Sequence, residues 1–279
     1  MKKLKKSFVS LTMKIKYWAY YLENLAKKIN GRGLMNPSSN GEFKFLEFLV
    51  NNSNDEIVFF DGGGNIGEHT SKFLELSKNK KRGGRVYTFE PFKDAAKKLT
   101  ENLNSKKFFN NKDYFLNEVA LSDKEGEQVF YYDNNESFSG QNSLINHYML
   151  NDSIDVKTTT IDNFCILNNI NQIDFVKLDI EGYELKALLG AKNLLSDNKI
   201  KYIQLEYNQT WIEANASIEK VFNLCQEYNF NLFILSNKGL LSIPSYHFNL
   251  DDFFYCNLLL VHKNSSVPFK INRKALPFI

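Results

Sequence analysis

Short apolar runs alternate with amphipathic segments along most of the chain. The apolar runs predict strands at about residues 57–61, 85–90, 114–121, 173–179, 200–206, 230–235 and 254–262. Apolar residues spaced three and four positions apart predict helices at about residues 41–51, 65–78, 92–103, 160–169, 183–196 and 215–228. Strands that alternate with helices form a parallel sheet covered on both faces. No clear helix separates the last two predicted strands, so we expect them to form an antiparallel hairpin at the edge of the sheet. The fold class is thus α/β, with a seven-stranded, mostly parallel sheet.

A segment at about residues 124–158 is too long for an ordinary connection in an α/β fold. It contains a strand-like run at 128–132 and a polar turn at 137–143. Two interpretations are open. The segment either closes over a substrate and supplies hydroxyl and amide contacts, or forms a β-hairpin on the surface.

The first thirty residues form a basic amphipathic segment that differs from the rest of the chain. It contains eight lysines and a single acid, Glu23, and its apolar residues recur at helical spacing. Because lysines interrupt every apolar stretch, the segment is neither a membrane span nor a signal peptide. The predicted helix either packs on the domain's own surface or lies on an anionic membrane or a partner subunit. Pro37 and several glycines predict a linker, so residues 1–40 precede a domain at 41–279.

Composition restricts the class of function. The chain has 279 residues, 43% of them hydrophobic and 14% aromatic, which suits one enzyme-sized globular domain. The net charge of +3, without a basic stripe interleaved with aromatics in the main body, argues against a nucleic-acid partner. The three cysteines are far apart in apolar runs, so we expect buried thiols in a reducing cytoplasm.

A glycine-rich turn at residues 61–67, with the sequence Asp-Gly-Gly-Gly-Asn-Ile-Gly, follows an apolar strand and enters a helical pattern. Backbone without side chains can approach a ligand closely there. The glycines match the dinucleotide-binding pattern, so an NAD-dependent oxidoreductase is one interpretation. Asp61 argues against it, because a carboxylate beside a pyrophosphate is repelled. A cationic cofactor such as S-adenosylmethionine suits this turn better, with its ribose near Glu90.

Acidic residues end four of the predicted strands, on the edge of the sheet where ligands bind. They are Asp61, Glu90, Asp179 with Glu181, and Glu206. Such carboxylates can attract a sulfonium, orient a hydroxyl, act as a general base or hold a divalent cation. An acid that ends an apolar strand is costly unless a partner answers it, which favours a site role for Asp179. Glu181 and Glu184 could instead stabilise a helix N-terminus.

Several motifs recur in order over about residues 57–206. They are the 61–67 turn, Phe89-Glu90-Pro91, Val119-Ala120-Leu121-Ser122-Asp123, the Ser/Gly turn ending at Ser143, Thr160-Ile161-Asp162, and residues 177–184 with Gly190-Ala191. This ordered set resembles the motifs of FkbM-type methyltransferases. The resemblance implies a class I, Rossmann-like fold that uses S-adenosylmethionine and methylates an oxygen, commonly a hydroxyl of a sugar. The pair Gly62-Gly63 departs from the family pattern, which has a larger residue beside a single glycine.

The resemblance also implies which residues hold the cofactor. The 61–67 turn would hold its methionine part, Glu90 its ribose and the 120–123 loop its adenine. The predicted cofactor-binding residues are Asp61, Gly62, Gly63, Gly64, Asn65, Gly67, Glu90, Pro91, Ala120, Leu121, Ser122 and Asp179.

The predicted chemistry is direct displacement, in which an acceptor oxygen attacks the methyl group in line with the departing sulfur. The predicted base is Asp179, then Glu181 and Glu206, with His69 as a competitor. Asp179 and Glu206 could hold magnesium, but no metal is predicted. The predicted acceptor-binding residues are Ser139, Gln141, Asn142, Ser143 and His147.

Together with these features, the resemblance implies a cytoplasmic O-methyltransferase that acts on a hydroxyl of a nucleotide-linked sugar or a cell-surface glycan precursor. Abundant Asn and Lys suggest a bacterial source. The N-terminal helix leaves open a peripheral position at the inner face of the membrane. Two alternative functions remain: an NAD-dependent oxidoreductase that uses the same turn, and a non-catalytic adapter that acts through the N-terminal helix.

Overall fold

The computed structural model describes residues 2–29, 31–78, 80, 83–106, 113–133, 141–147, 150–269 and 271–272. The strands are β1 (Ile57–Gly62), β2 (Gly84–Phe89), β3 (Tyr114–Asn117), β4 (Ala120–Leu121), β5 (Gly126–Tyr132), β6 (Asp152–Thr159), β7 (Ile173–Leu178), β8 (Ile200–Tyr207), β9 (Phe230–Ser236), β10 (Gly239–Ile243), β11 (Cys256–His262) and β12 (Ile271–Asn272). The helices are α1 (Lys2–Ile29), α2 (Pro37–Asn40), α3 (Glu42–Asn52), α4 (Glu68–Ser77), α5 (Lys93–Ser105), α6 (Ile161–Leu167), α7 (Glu184–Leu189), α8 (Lys192–Ser196) and α9 (Ile218–Glu227). Single 3-10 turns span Gln209–Trp211 and Phe248–Leu250.

Nine strands form one mixed sheet in the order β12-β10-β9-β11-β8-β7-β1-β2-β3. Its half from β3 to β8 is parallel, whereas β11 runs antiparallel to both β8 and β9. The α/β class is confirmed, but the prediction of seven mostly parallel strands is wrong. The sequence pattern missed β10 and β12, which are five and two residues long.

The predicted edge hairpin is also only partly correct. The two late strands do pair antiparallel, as β9 with β11. However, β11 lies inside the sheet between β8 and β9, and the hairpin partner of β9 is β10, reached through a tight turn between Ser236 and Gly239. Strand order depends on long-range pairing, which the local pattern does not encode.

The central strands are apolar on both faces because helices cover the sheet on both sides. Phe59 and Phe175 face one side, where their rings stack at 4.9 Å and α3, α4 and α5 pack. Phe60 and Val176 face the other side, where α6 to α9 pack. Each buried aromatic or aliphatic side chain contributes about 1.5–3 kcal/mol to stability. This packing sets the carboxyl ends of β1, β7 and β8 beside one another.

The predicted strand at 114–121 divides into β3 and β4, which belong to different sheets. A second, three-stranded sheet has the order β4-β6-β5. β5 and β6 come from the segment predicted at about 124–158, and β4 lies just before it. The strand-like run at 128–132 is confirmed as β5, whereas β6 was not predicted. Phe130 and Val156 of this small sheet pack against Phe92. The described residues of this segment therefore pack as part of the domain.

The predicted N-terminal helix is present as α1. Its described apolar side chains are mostly in solvent: Ile15, Trp18 and Leu22 are 59%, 60% and 58% exposed. The interpretation that this face packs on the domain's own surface is therefore wrong for these residues. Within the described residues, we find no helix with the length and hydropathy needed to cross a membrane.

The segment after α1, expected to be a linker, packs on the domain. Arg32 and Asn40 are buried, and the Arg32 guanidinium forms an ion pair with Asp252. The Gly33 N–H donates to the Tyr255 carbonyl at 2.8 Å. Residues 31–41 therefore form part of the wall of the site described below.

Candidate functional site

Two adjacent cavities lie at the carboxyl ends of β1, β7 and β8. The first cavity has a volume of about 250 Å³ and the second about 640 Å³. The walls of both include Gly63, Asn65, Asp179, Glu181 and Glu206. These five residues, which we call the shared wall, are the place where ligands in the two cavities would meet.

The glycine turn is held tightly between the ends of two strands. The Gly63 and Gly64 N–H groups donate to the Phe89 carbonyl at 3.0 and 3.1 Å. Gly63 has a φ of +81°, and a Cβ there would lie 1.8 Å from the Asp179 carbonyl oxygen. Only glycine fits this position, since any side chain would collide with backbone. The glycine at position 63, part of the Gly62-Gly63 pair that departs from the family pattern, therefore allows the turn to lie against the end of β7.

Glu90 follows β2 and lies on the wall of the first cavity. Its carboxylate accepts hydrogen bonds from the Asn65 N–H at 2.8 Å and the Phe92 N–H at 3.0 Å. Burial, with a smaller contribution from the charge of Asp61, raises the pKa of Glu90 to about 7. The side chain thus ties the glycine turn to β2 and leaves a carboxyl facing the cavity.

Asp61 is buried at the end of β1, and in the described part of the chain it lines neither cavity. One carboxylate oxygen accepts a hydrogen bond from the Thr70 hydroxyl at 2.6 Å. The other oxygen, Oδ1, has no hydrogen-bond partner among the described residues. The predicted contact of Asp61 with a cofactor stays a prediction, and its visible role is to anchor α4 below the turn.

Apolar side chains line the part of the first cavity away from the shared wall. Pro91, Ala120 and Leu121, three of the predicted cofactor-binding residues, lie there. Ser122 does not line it, because its hydroxyl is buried and bonded to Gln128 and Asp123. Sequence reasoning missed Phe89, Ala95, Phe130, Leu144, Ile180 and Tyr183 in this wall. Phe130 belongs to the strand-like run that the sequence did show. Which face of that strand meets the cavity depended on the pairing of the second sheet.

Three acids cluster on the shared wall. Oxygen atoms of Asp179, Glu181 and Glu206 lie within 4.8 Å of one another. The buried ammonium of Lys177 lies 2.8 Å from Asp179 Oδ2. The Asn208 amide donates to Glu206 at 3.1 Å and to Glu181 at 3.4 Å. Sequence reasoning had assigned no role to Lys177, although a lysine in an otherwise apolar strand was a usable signal.

The three carboxyl groups differ in their affinity for a proton. Burial raises the pKa of Asp179, but the charge of Lys177 together with hydrogen bonds to Glu206 and Lys177 outweighs this, and the net pKa is lowered. Burial and the charges of Asp179 and Glu184 raise the pKa of Glu181 to about 8. Burial and the charges of Asp179 and Glu181 raise the pKa of Glu206 well above its usual range. Near neutral pH, Asp179 is therefore ionised, whereas Glu181, with a pKa of about 8, is mostly protonated, and the pKa of Glu206 is shifted in the same direction.

The turn that carries Glu181 is fixed by its neighbours. Glu181 has a left-handed backbone with a φ of +51°. The Ser143 hydroxyl donates to the Glu181 carbonyl at 2.7 Å. The carboxylate of Glu184 accepts the N–H groups of Ile180 at 2.9 Å and Gly182 at 3.0 Å. Glu184 thus stabilises the turn at the start of α7, one of the two roles left open for it.

The two candidate histidines occupy different surroundings. His69 lines the second cavity, and its Nε2 lies 2.8 Å from the Glu42 carboxylate. His147 is buried, lines neither cavity in the described residues and interacts with the Glu181 backbone. Burial lowers the pKa of His147. The structure thus places His69 on the wall of the second cavity and His147 behind the shared wall.

The other predicted acceptor residues are spread over both cavities. Gln141 lines the second cavity and Asn142 lines the first. Ser143 is buried behind the shared wall at the Glu181 carbonyl. Ser139 lies outside the described residues.

A buried polar network below the second cavity was missed by sequence reasoning. Glu42, at the start of α3, accepts hydrogen bonds from Gln204 at 2.7 Å and Asn257 at 3.1 Å. Burial opposes ionisation of Glu42, but His69 and Lys177 lower its pKa to about 2. An acid in the first turn of a helix is ordinary, so nothing in the sequence distinguished Glu42.

The acid cluster fits a divalent cation poorly. The Lys177 ammonium lies 2.8 Å from one oxygen of Asp179, so a cation would have to share this carboxylate with a buried positive charge. A metal needs ionised oxygen ligands. We therefore derive no step through a metal at Asp179 and Glu206.

Replacing Lys177 by methionine is expected to destabilise the protein by about 3–5 kcal/mol, because it leaves the acid cluster without its buried counter-charge. Lys201→Met is the matched control. Lys201 lies 2.7 Å from Asp174, but its side chain is 44% exposed, so we expect a loss below about 1 kcal/mol. Urea denaturation at neutral pH measures both losses. Equal losses in the two variants would contradict the account of the cluster.

A comparison with protein families covers the part of the chain that carries the shared wall. A family model described as the methyltransferase FkbM domain matches residues 61–232, which is more than half of the chain. The chain belongs to the FkbM methyltransferase family. The match begins at Asp61 and includes every residue of the shared wall.

Relatives of this FkbM chain include the 2-O-methyltransferase NoeI of Sinorhizobium fredii, which is 26% identical over 185 residues. That alignment covers 61% of this chain and 72% of NoeI. A crystal structure of methyltransferase FkbM from Methylobacillus flagellatus superposes with a TM-score of 0.47 and 16% identity. It covers 74% of this chain, whereas this chain spans 44% of that one. TrmK of M. capricolum, solved with S-adenosyl-homocysteine, superposes with a TM-score of 0.39 and 13% identity, covering 78% of this chain and 67% of TrmK.

Parts of the second cavity lie outside the FkbM match. Glu42 precedes it, and Phe253, Phe254 and Tyr255 follow it. The first cavity is lined within the matched residues. The chain therefore builds the wall of its second cavity partly from segments of its own outside the family domain.

Proposed function

We propose that this FkbM protein transfers a methyl group from S-adenosylmethionine to a hydroxyl of a sugar. The observation that carries the proposal is the shared wall, where three carboxyl groups face a single ammonium, Lys177, between two cavities. Because burial and repulsion raise the pKa of Glu181 and of Glu206, a cationic ligand beside them would be stabilised by their ionisation. A sulfonium is such a cation.

The first cavity suits S-adenosylmethionine. Glu90 offers a carboxylate for ribose hydroxyls, and the apolar walls around Leu121 and Phe130 suit an adenine ring. The backbone of Gly63, without a side chain, allows the methionine part to come close to the turn. Bound S-adenosylmethionine would supply an electrophilic methyl group at the shared wall.

The second cavity suits a polyhydroxylated acceptor. Its walls carry the side-chain amides of Gln141, Asn208 and Gln209, which donate and accept hydrogen bonds. Phe254 and Tyr255 add aromatic faces and a hydroxyl. The name of the relative NoeI, a 2-O-methyltransferase, supports an oxygen acceptor.

We assign the role of general base to Glu181, where the sequence had favoured Asp179. The pKa of Glu181, about 8, lies near neutral pH, where a base works best. Asp179 is held ionised by Lys177, so its lowered pKa makes it a weak base. Glu181 would accept the proton of the acceptor hydroxyl, and protonated Glu206 would donate a hydrogen bond within the cluster. Two reactants held in adjacent cavities gain rate from proximity.

Cofactor binding and turnover test the proposal together. We expect S-adenosyl-homocysteine, and not NAD, to raise the melting temperature, because a ligand of the folded state stabilises it. Incubation with labelled S-adenosylmethionine and a panel of nucleotide sugars and glycan extracts should then give methylated product by mass spectrometry. Protection by NAD alone would contradict the proposal in favour of an oxidoreductase. Cofactor binding with no transfer to any sugar would contradict it in favour of another acceptor or an adapter.

A further inference from the structure

We propose that α1 docks this protein on the surface of an anionic lipid bilayer. The helix carries an apolar stripe that the domain does not cover. Ile15, Trp18, Leu22 and Leu25 are 59%, 60%, 58% and 42% exposed. Their spacing of three, four and three residues places them on one side of the helix. A stripe of this size in water is unfavourable unless a partner covers it.

Charge favours an anionic bilayer as the partner. The first thirty residues carry eight lysines and one acid, whereas the whole chain has a net charge of only +3. Lysines beside an apolar stripe are attracted to acidic lipid headgroups, while the stripe enters the boundary with the acyl chains. A second copy of α1 would bring two strongly basic helices together, and this repulsion disfavours self-association.

Aromatic residues on α1 also suit a lipid interface. The Trp18 ring lies 6.2 Å from the Tyr17 ring and 5.9 Å from the Tyr21 ring, in edge-to-face contact. Tyr17 and Tyr21 are 66% and 50% exposed. Rings with an apolar body and a polar atom are favoured at the depth of the headgroups. Within the described residues no helix can span a membrane, so the docking proposed is along the surface.

The end of α1 is fixed to the second cavity. The Lys27 ammonium lies 3.1 Å from Asp252, and the Arg32 guanidinium pairs with the same carboxylate and donates to the Phe254 carbonyl at 2.8 Å. Gly33, just beyond the helix, lines the second cavity beside Phe254. A chain docked through α1 would therefore hold this cavity close to the lipid surface.

Co-sedimentation of the full chain with vesicles tests the proposal. We expect binding to phosphatidylcholine vesicles that contain phosphatidylglycerol, weak binding to pure phosphatidylcholine, and loss of binding as salt increases. Trp18 is exposed and Trp211 is fully buried, so a blue shift of tryptophan fluorescence on binding reports α1. No binding to the anionic vesicles, or equal binding to both kinds at any salt concentration, would overturn the proposal.

Paired substitutions separate the apolar and electrostatic contributions. Trp18→Ser with Leu22→Ser, and Lys14→Glu with Lys16→Glu, should each lower the vesicle partition coefficient by about tenfold or more. Ile166→Ser with Leu167→Ser is the matched control, because these α6 side chains are 69% and 71% exposed, and partition should not change. Unchanged partition in both α1 variants would overturn the proposal. A lipid-free dimer in sedimentation velocity that the Trp18 and Leu22 changes dissociate would overturn it in favour of a second copy.

Discussion

Glu181→Gln is expected to lower kcat for methyl transfer by about 10²–10⁴-fold, the usual contribution of a general base. The carboxyl of Glu181 lies on the wall shared by both cavities, and its pKa is raised to about 8 by burial and by Asp179 and Glu184. Since a base acts when deprotonated, kcat/KM of the unmodified protein, which reports the unliganded enzyme, should rise with pH through about 8. The variant should lose this rise and keep its affinity for S-adenosyl-homocysteine.

Although Glu181→Gln is expected to lower activity, it should raise the free energy of unfolding at high pH. Folded Glu181 binds its proton more tightly than an unfolded glutamate with a pKa of 4.5. The stability it contributes is therefore complete below about pH 4.5 and is lost as the pH rises through about 8. Above pH 8, Glu181→Gln removes an unfavourable buried charge and should raise the free energy of unfolding.

Asp179→Asn provides the comparison that decides the base. It removes the partner of Lys177 and should weaken binding and stability, but the rise of kcat/KM with pH should persist and move to lower pH, because the charge of Asp179 raises the pKa of Glu181. The assignment of Glu181 would be wrong if Asp179→Asn abolished this rise and Glu181→Gln retained it. An exposed acid on a nearby loop, Glu213, gives a control in which Glu213→Gln changes neither kcat nor its pH profile.

Gly63→Ala is expected to abolish binding of S-adenosyl-homocysteine and to destabilise the fold by about 3 kcal/mol or more. The added Cβ would lie 1.8 Å from the Asp179 carbonyl oxygen, and the φ of +81° is itself unfavourable for alanine. Relief of the clash requires the end of β7 to separate from the turn. Calorimetric titration and urea denaturation measure the two losses.

Gly83→Ala is the matched control for this turn. Gly83 also has a positive φ, of +61°, but a Cβ there has no atom within 4 Å. It should therefore cost only the backbone strain, about 1–2 kcal/mol, and leave cofactor binding intact. If Gly63→Ala cost no more than Gly83→Ala, the close approach of the turn to β7 would not matter for the site.

Local features of the site were predictable because each is encoded by a few adjacent residues. The apolar run before Asp61, the glycines after it and the acids after the β7 strand all follow from neighbours in sequence. Glycines and strand-end acids have few structural uses, so their pattern indicated a site before the fold was known. The structure sets Gly63, Asp179 and Glu206 on one wall, as the parallel strand ends suggested.

The partners of these residues could not be predicted, because they come from distant parts of the chain. Glu42 contacts both His69 and Asn257. Arg32 forms an ion pair with Asp252. These partners are far apart in the sequence, and no local pattern encodes such contacts. The proposed role of Glu181 as the base also depends on such partners, since Lys177 and Glu206 help to lower the pKa of Asp179.

The sequence by itself determined the α/β class, the amphipathic N-terminal helix and the chemistry available at the strand ends, because burial periodicity and residue type are local properties. Only the tertiary structure decided the order of the nine strands, the second sheet of β4, β5 and β6, and the protonation of the clustered acids. Strand order and pKa depend on which distant groups pack together, and that is settled by the whole core at once.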